Sequence, residues 1–293
     1  MRVSALVLQS QTWPSAADTW RAIESSGVET AYVADHLTHP RLTGAWLADP
    51  WTTLAAAAGV TTRLRLGTLV ASAVFRTPAT LARMAATVQD ISGGRFVLGL
   101  GAGVALDGIA DRGQPTEQAE RHARFVDVVK GLRAVWAGER SHEGQVLSFG
   151  ELDLLPQAPG RDAPPLVLAG HGPQGLALVA DEGDGWSTYG GPAVVGLGRS
   201  EFWALLHRQA QALTTACERA GRDPATLERS VLVGYAAYRP VESVASFLDE
   251  AASAEAAGFD EICLYWPTEV AGAALATELA VVLEAVAQVA ARP

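Results

Sequence analysis

The chain has 293 residues, of which 49% are hydrophobic, and its 32 acidic and 22 basic side chains give a formal net charge of −10 at pH 7. This acidic balance argues against nucleic acid or an anionic membrane surface as a partner, because binding to phosphates needs clustered lysine and arginine. The length suits a domain with a substantial core, and no apolar run approaches the roughly 20 residues of a membrane span.

Short apolar runs alternate along the chain with longer amphipathic runs. We predict strands at residues 3–9, 30–34, 63–71, 95–100, 166–169, 186–189, 229–237 and 261–265. We predict helices at residues 15–27, 50–61, 78–91, 117–137, 173–182, 199–221, 241–258 and 271–291. Strict alternation implies a parallel sheet, and eight strand–helix pairs at this length favour a closed (β/α)8 TIM barrel over an open doubly wound sheet.

Two segments interrupt this alternation. Residues 103–115 are expected to form a loop. Residues 142–155 are strand-like and lead into a proline-rich link at 156–165, which we interpret as a surface hairpin inserted between barrel units. The link is too short to separate two domains, so we expect a single domain over residues 1–293. The chain begins with a strand-like segment and no basic-then-apolar leader, which favours a cytoplasmic protein.

The run ISGGRFVLGLGAG at residues 91–103 is the most informative stretch. An apolar strand follows a Gly-Gly turn and ends in Gly101, Ala102 and Gly103. Small residues at the carboxyl end of a strand let a flat ligand lie against the backbone, and ligands of α/β proteins bind at that end. The alternative interpretation is a turn that happens to be rich in glycine.

A second glycine-rich segment, AGHGPQG at residues 169–175, follows the fifth predicted strand. Glycines before a helix start leave backbone N–H groups free, and the helix dipole adds positive potential, so the segment suits a phosphate. An ordinary turn with a proline in the first helical turn is the alternative.

Asp35 and His36 follow the second predicted strand, at the ligand-facing end of the barrel. Histidine is the usual proton carrier near neutral pH, so this pair could serve chemistry or could simply be a satisfied capping pair. His171 has the same ambiguity, and the other four histidines are expected at the surface. The sequence has no HExxH, paired-cysteine, Walker-type or Gly-x-Ser-x-Gly motif. Metal and acyl-enzyme chemistry therefore have no support.

Taken together, the stretches at 31–36 (AYVADH), 49–70, 75–103, 120–139 and 166–186 resemble the bacterial luciferase-like superfamily. The likeness covers most of residues 1–190. It implies a TIM barrel with insertion segments, which binds either FMN or the deazaflavin coenzyme F420, and a homodimer. The Asp-His pair after strand two and the Gly-x-Gly after strand four are most similar to the branch that depends on coenzyme F420.

The resemblance also implies a cofactor site at particular positions. Leu69-Val70 matches the family's non-proline cis peptide behind the deazaflavin ring, and His36 is expected near the reactive carbon as the catalytic residue. The segment 169–175 would hold the phosphate. The residues implied in cofactor binding are Asp35, Leu69, Val70, Ser72, Gly101, Ala102, Gly103, Val104, Ala169, Gly170, His171, Gly172, Gln174 and Gly175.

Two positions depart from the sugar-phosphate-oxidising members of this family. Those members carry a glutamate directly after the Gly-x-Gly, where this chain has Val104, and a tryptophan four residues past the histidine, where it has Pro40. The single lysine, Lys130, cannot rebuild their substrate-phosphate site. We therefore expect a less polar substrate and an apolar rim that includes Val104, Leu106 and Trp266.

The resemblance implies an oxidoreductase that transfers a hydride between coenzyme F420 and a small organic substrate, with His36 giving or taking the proton. An FMN-dependent luciferase-like monooxygenase is one alternative. A cofactor-binding barrel without turnover is another, because the acid is missing at Val104. The spectrum of a bound chromophore and the consumption of oxygen distinguish these functions.

Overall fold

The computed structural model describes residues 1–38, 44–113, 116–153, 155–267 and 275–291. Within them, eight parallel strands close into a barrel, because β3 pairs with β5 as well as with β2. The strands are β1 (Arg2–Val7), β2 (Thr30–Val33), β3 (Arg65–Thr68), β4 (Ala71–Ser72), β5 (Phe96–Gly101), β6 (His142–Glu143), β7 (Ser148–Phe149), β8 (Leu166–Ala169), β9 (Gly185–Thr188), β10 (Glu228–Leu232) and β11 (Glu261–Tyr265). The short β4 pairs with β5, and β6 and β7 form a separate antiparallel hairpin. The predicted (β/α)8 TIM barrel is therefore confirmed.

Helices connect the barrel strands. They are α1 (Trp13–Ser25), α2 (Pro50–Val60), α3 (Pro78–Ile91), α4 (Ala105–Arg112), α5 (Gln118–Trp136), α6 (Pro173–Glu182), α7 (Arg199–Arg219), α8 (Val244–Ala256) and α9 (Leu275–Ala290). Helix α2 shows why the start of a helix could be predicted from the sequence. The Asp49 carboxylate accepts a hydrogen bond from the backbone N–H of Thr52 at 2.8 Å, and Pro50 occupies the first turn. Among the described residues, no helix is both long and apolar enough to cross a membrane.

The core has two layers, because successive residues of a strand point to opposite faces of the barrel wall. In β1, Ala5 and Val7 belong to the large buried cluster that the helices share. Leu6 belongs instead to a small cluster with Tyr32 and Cys263, inside the barrel. Trp266, predicted at the rim of the site, is 5% exposed and belongs to the large cluster, so that expectation was wrong.

Helix α4 lies in the segment that was expected to be a loop. Its cap position is Val104, which offers no side-chain acceptor and therefore gives no start signal in the sequence. The carboxylate of Asp107, in the first turn, instead accepts from the backbone N–H of Val104 at 3.1 Å. Gly113 ends the helix with a φ of 72°. The helix therefore starts from a reaching-back contact, as in half of a capping box.

The predicted third strand is interrupted. Strand β3 ends at Thr68, a cis peptide joins Leu69 to Val70, and the extended chain resumes as β4. The cis bond predicted from the resemblance is therefore present. Residues 39–43, which include Pro40, and residues 271–274 of the last predicted helix lie outside the described part of the chain.

The inserted hairpin of β6 and β7 is held against the barrel by a buried carboxylate. Asp127 on α5 accepts from the backbone N–H groups of Gln145, Val146 and Leu147, with N–O distances of 3.1, 2.5 and 2.9 Å. This contact fixes the turn between β6 and β7 next to the carboxyl end of the barrel, where Gln145 lines the cavity described below.

Candidate active site

A cavity of about 1350 Å³ lies at the carboxyl ends of the barrel strands. All of the predicted site residues except Asp35 lie in its wall: His36, Leu69, Val70, Ser72, Gly101, Ala102, Gly103, Val104, Ala169, Gly170, His171, Gly172, Gln174 and Gly175. Among the described lining residues there is no aspartate or glutamate, although acidic residues outnumber basic ones in the chain. The cavity wall therefore suits a ligand that carries negative charge.

His36 has an acidic partner that the sequence did not reveal. Its Nδ1 lies 3.3 Å from Oδ1 of Asp107, which is fully buried. The other oxygen of Asp107 accepts from the Ser72 hydroxyl at 3.2 Å and from the Val104 backbone N–H. An ionised carboxylate only accepts hydrogen bonds, so the Nδ1 nitrogen of His36 carries a proton in this pair.

The acid that was expected to be missing at Val104 is thus supplied three residues later. One turn of α4 carries residue 107 back over the helix start, so its carboxylate lies where the end of β5 meets His36. The signal was present in the sequence as an acidic residue, Asp107, soon after the glycine-rich end of β5, but it had meaning only if a helix followed.

Asp35 does not line the cavity. Its Oδ2 accepts from Nη1 of Arg76 at 2.5 Å and from the Ser72 backbone N–H at 3.1 Å. Burial raises the pKa of the Asp35 carboxyl, and the neighbouring Arg76 guanidinium opposes that shift. The structure therefore places Asp35 as a support for the Ser72 backbone, behind the cavity wall, rather than at the surface that a ligand would touch.

The glycines at the end of β5 make room for protein atoms. A Cβ atom on Gly101 would lie 2.7 Å from Cγ2 of Val70, and one on Gly103 would lie 2.4 Å from the Ser72 hydroxyl. Gly103 also has a φ of +75°. The two glycines line the cavity. The sequence analysis expected their lack of side chains to leave a flat surface for a ligand, but the space is occupied by Val70 and Ser72.

The segment before α6 leaves backbone donors at the cavity. Gly172 precedes Pro173 at the helix start, no side chain caps the first turn, and that turn has no acidic residue. A Cβ atom on Gly172 would meet nothing within 4 Å, whereas Gly170 and Gly175 approach each other so closely that a Cβ on Gly170 would lie 2.9 Å from the Gly175 backbone. The first turn of α6 therefore lines the cavity with no side-chain cap and no acidic residue, as an anion-binding helix start requires.

Aromatic side chains form another part of the cavity wall, and the sequence analysis did not single them out. Tyr189, Tyr235 and Tyr265 follow or end β9, β10 and β11 and line the cavity. The ring centroids of Tyr189 and Tyr235 are 4.7 Å apart, and those of Tyr235 and Tyr265 are 5.9 Å apart. His171 meets the Tyr189 ring edge-on, with centroids 4.8 Å apart. Burial lowers the pKa of His171 to about 4, so its ring is neutral at pH 7.

The end of the cavity beyond the α6 start is lined by polar residues of α5 and the hairpin. Gln118, Arg121, His122 and Gln145 lie there. His122 was expected at the surface of its helix, and the structure places it half-buried in the cavity wall. Its neighbours on α5 gave no clue, because the inserted hairpin, not the helix pattern, brings this face into the cavity. Within the described residues, no group of three or more His, Cys, Asp or Glu side chains could hold a metal ion.

Comparison with known proteins identifies a family and relatives for this barrel. A family model described as luciferase-like monooxygenase matches residues 1–237. The chain is 32% identical over 211 residues to an F420-dependent hydroxymycolic acid dehydrogenase of Mycobacterium tuberculosis, covering 71% of this chain and 54% of that protein. It is 36% identical over 169 residues to an F420-dependent glucose-6-phosphate dehydrogenase of Beutenbergia cavernae, covering 56% of this chain and 48% of that protein. The chain thus spans about half the length of these two curated relatives.

Solved structures share the architecture. An F420-dependent secondary alcohol dehydrogenase, in complex with an F420-acetone adduct, matches 97% of this chain and 98% of its own, with a TM-score of 0.79 and 20% sequence identity. At this identity the likeness shows a common fold.

Proposed function

The chain belongs to the luciferase-like monooxygenase family, and from this premise we propose that it is an oxidoreductase that transfers a hydride between coenzyme F420 and a small organic substrate. One observation carries the proposal: a single cavity joins the uncapped start of α6 to His36, which the buried Asp107 contacts. The F420-dependent names of both curated relatives support the choice of cofactor.

The residues present fit such a cofactor. The first-turn N–H groups of α6, at Gln174 and Gly175, would hold its phosphate. The deazaflavin ring would lie against Leu69–Val70 and the turn that follows β5. When bound, the deazaflavin supplies a ring carbon that accepts or donates a hydride. The protein would hold the ring in place against these residues.

His36 would carry the proton that accompanies hydride transfer. Asp107 contacts Nδ1, so we propose that the Nε2 nitrogen exchanges the proton with the substrate. Asp107 would fix the orientation and tautomer of the ring. Ser72 and the Val104 backbone N–H hold the carboxylate in turn, so the pair is rigid before any ligand arrives.

The two alternative functions inferred from the sequence are not equally well supported. An FMN-dependent monooxygenase remains the second candidate, because the family to which the chain belongs is described by that activity. The cofactor-binding barrel without turnover was suggested by the missing acid at Val104, and Asp107 removes that reason. A homodimer, a cytoplasmic location, a single domain over residues 1–293 and the absence of nucleic-acid and membrane partners stay predictions.

A direct titration tests the proposal. The purified protein is titrated with oxidised coenzyme F420 and with FMN, and binding is followed by fluorescence quenching. We expect tighter binding of coenzyme F420 and turnover without oxygen consumption. Equal or tighter binding of FMN, together with oxygen uptake during turnover, would establish the monooxygenase instead.

A further inference from the structure

His171 is the end of a hydrogen-bond chain that runs from the cavity into the barrel wall. Its Nδ1 lies 2.9 Å from the hydroxyl of Thr188, and that hydroxyl lies 3.1 Å from Oε1 of Gln209. Thr188 and Gln209 are 2% and 9% exposed, so the chain is shielded from water behind the histidine ring.

The amide of Gln209 has a single consistent orientation. Its Nε2 donates to the backbone carbonyl of Gly190 at 3.0 Å and, more weakly, to that of His171 at 3.5 Å. Carbonyl oxygens only accept hydrogen bonds, so the NH2 group must face these two atoms. The amide oxygen of Gln209 therefore faces the Thr188 hydroxyl.

The direction of the remaining bonds follows from this orientation. Because the amide oxygen can only accept, the Thr188 hydroxyl donates its one hydrogen bond to Gln209. The same hydroxyl accepts from the backbone N–H of Gly190 at 2.9 Å. One lone pair is left for His171, so the Nδ1 nitrogen of His171 must be the donor.

A neutral histidine with a proton on Nδ1 has an unprotonated Nε2. The ring cannot easily turn to present anything else. It is held edge-on to Tyr189, and a Cβ atom on Gly191 would lie only 3.1 Å from the ring. Because His171 lines the cavity, Nε2 is offered to the ligand as a hydrogen-bond acceptor.

We infer that His171 binds an uncharged hydroxyl group of the ligand through Nε2, and that Thr188 and Gln209 are positioning residues that hold it in this acceptor state. This inference rests on the proposed function for the identity of the ligand, but not for the state of the ring. It departs from the prediction that His171 helps to hold the phosphate, since an acceptor nitrogen repels phosphate oxygens.

The position of His171 indicates two sources for the hydroxyl group. The residue lies between the phosphate-binding helix start at Gly172 and the aromatic wall at Tyr189. A hydroxylated chain that links a ring to a phosphate, as the ribityl chain does in coenzyme F420 and in FMN, would pass this point. A hydroxyl of an alcohol substrate resting on the tyrosines offers the same chemistry.

The state of the ring can be measured without any ligand. In ¹⁵N-histidine-labelled protein, the resonances that vanish in His171→Phe belong to His171. We expect a neutral ring at pH 7 with the proton on Nδ1, the form that free imidazole side chains disfavour. A proton on Nε2, or a charged ring at pH 7, would overturn the inference.

Two threonine variants separate positioning from general effects on the barrel. Thr188→Val removes the acceptor for Nδ1, so His171 should shift toward the Nε2-protonated form, and affinity for coenzyme F420 or substrate should fall about fivefold to tenfold. Thr30→Val is the matched control, a buried β-strand threonine whose hydroxyl has no partner among the described residues. It should leave both unchanged, and an unchanged His171 in Thr188→Val would count against the inference.

The source of the hydroxyl is decided by adding probes in turn and following the Nε2 resonance. A shift on adding coenzyme F420 or FMN alone assigns the donor to the ribityl chain. A shift only when cyclohexanol is added to the cofactor-loaded protein, and not with cyclohexanone, assigns it to an alcohol substrate. No shift with any probe would overturn the proposed contact. Fluorescence titration in the same samples reports separately whether the cofactor binds, so failure of the proposed function is recognised independently.

Discussion

Nδ1 of His36 lies 3.3 Å from Oδ1 of Asp107, a residue 71 positions later in the chain. The end of β2 supplies the histidine, and the first turn of α4 supplies the acid. The two meet at the cavity because the carboxyl ends of all parallel strands lie on one face of a barrel. This pairing leads to two predictions about proton transfer.

Replacing His36 by alanine should lower turnover by about 10²-fold or more, because a positioned acid–base group contributes at least that much. Cofactor affinity should change far less, since the proposed phosphate contacts lie at the start of α6. A screen of carbonyl, enone and imine compounds against the reduced cofactor supplies the assay, and stopped-flow kinetics supply the rate. His207→Ala, on the exposed face of α7, is the control. Full turnover in His36→Ala would show that the proton is carried elsewhere.

Asp107→Asn should also lower turnover, and its effect should not add to that of His36→Ala. Residues that act as a unit give non-additive losses, so the double variant should be no slower than the slower single variant. A shift of the pH–rate profile in Asp107→Asn would identify an effect on the histidine. Additive losses would mean that the two residues act independently, and that Asp107 serves only to start α4.

Gly172→Asp should weaken cofactor binding by about 5-fold to 150-fold, because a carboxylate would face the proposed phosphate position at a helix start, where such a clash costs on the order of 1–3 kcal/mol. The fold should survive, since Gly172 has a φ of −109° and a Cβ atom there would meet nothing within 4 Å. Gly172→Ala tests the side-chain volume without the charge and should retain most of the affinity. Equal cofactor affinities in Gly172→Asp and Gly172→Ala would show that this loop does not bind the phosphate.

His171 should make the folded protein less stable in acid. Its pKa is about 4 in the folded state and 6.5 in the unfolded chain, so between these values the unfolded state binds more protons. Its contribution to stability is therefore fully present above pH 6.5 and is lost as the pH falls toward 4. The raised pKa values of the buried Asp35 and Glu261 carboxyls act in the opposite direction, so wild type must be compared with a variant.

His171→Phe provides that comparison, because it keeps a ring against Tyr189 but cannot titrate. The difference in Tm between wild type and His171→Phe, measured from pH 7 to pH 4, should move steadily in favour of the variant as the pH falls. A constant difference across this range would show that burial does not depress the pKa of His171.

The sequence alone determined the architecture, because the strands and helices of a barrel follow from local patterns of apolar and polar residues. The short apolar runs and the amphipathic runs between them predict eight parallel strands. Helices such as Pro78–Ile91 and Pro173–Glu182 begin and end where their prolines and polar flanks indicate. Gly172 and the residues beside it were equally readable, since a helix start that lacks a cap is a property of consecutive residues.

Only the tertiary structure decided which side chains meet at the cavity. Asp107 became a partner of His36 because a helix with no start signal turned it back over β5, whereas Asp35, adjacent to His36 in sequence, was turned away toward Arg76. The state of His171 likewise depends on Gln209, which lies 38 positions away. Hydrogen-bond direction and side-chain contact depend on distances between strands and helices that are far apart in the chain, and no local pattern encodes those distances.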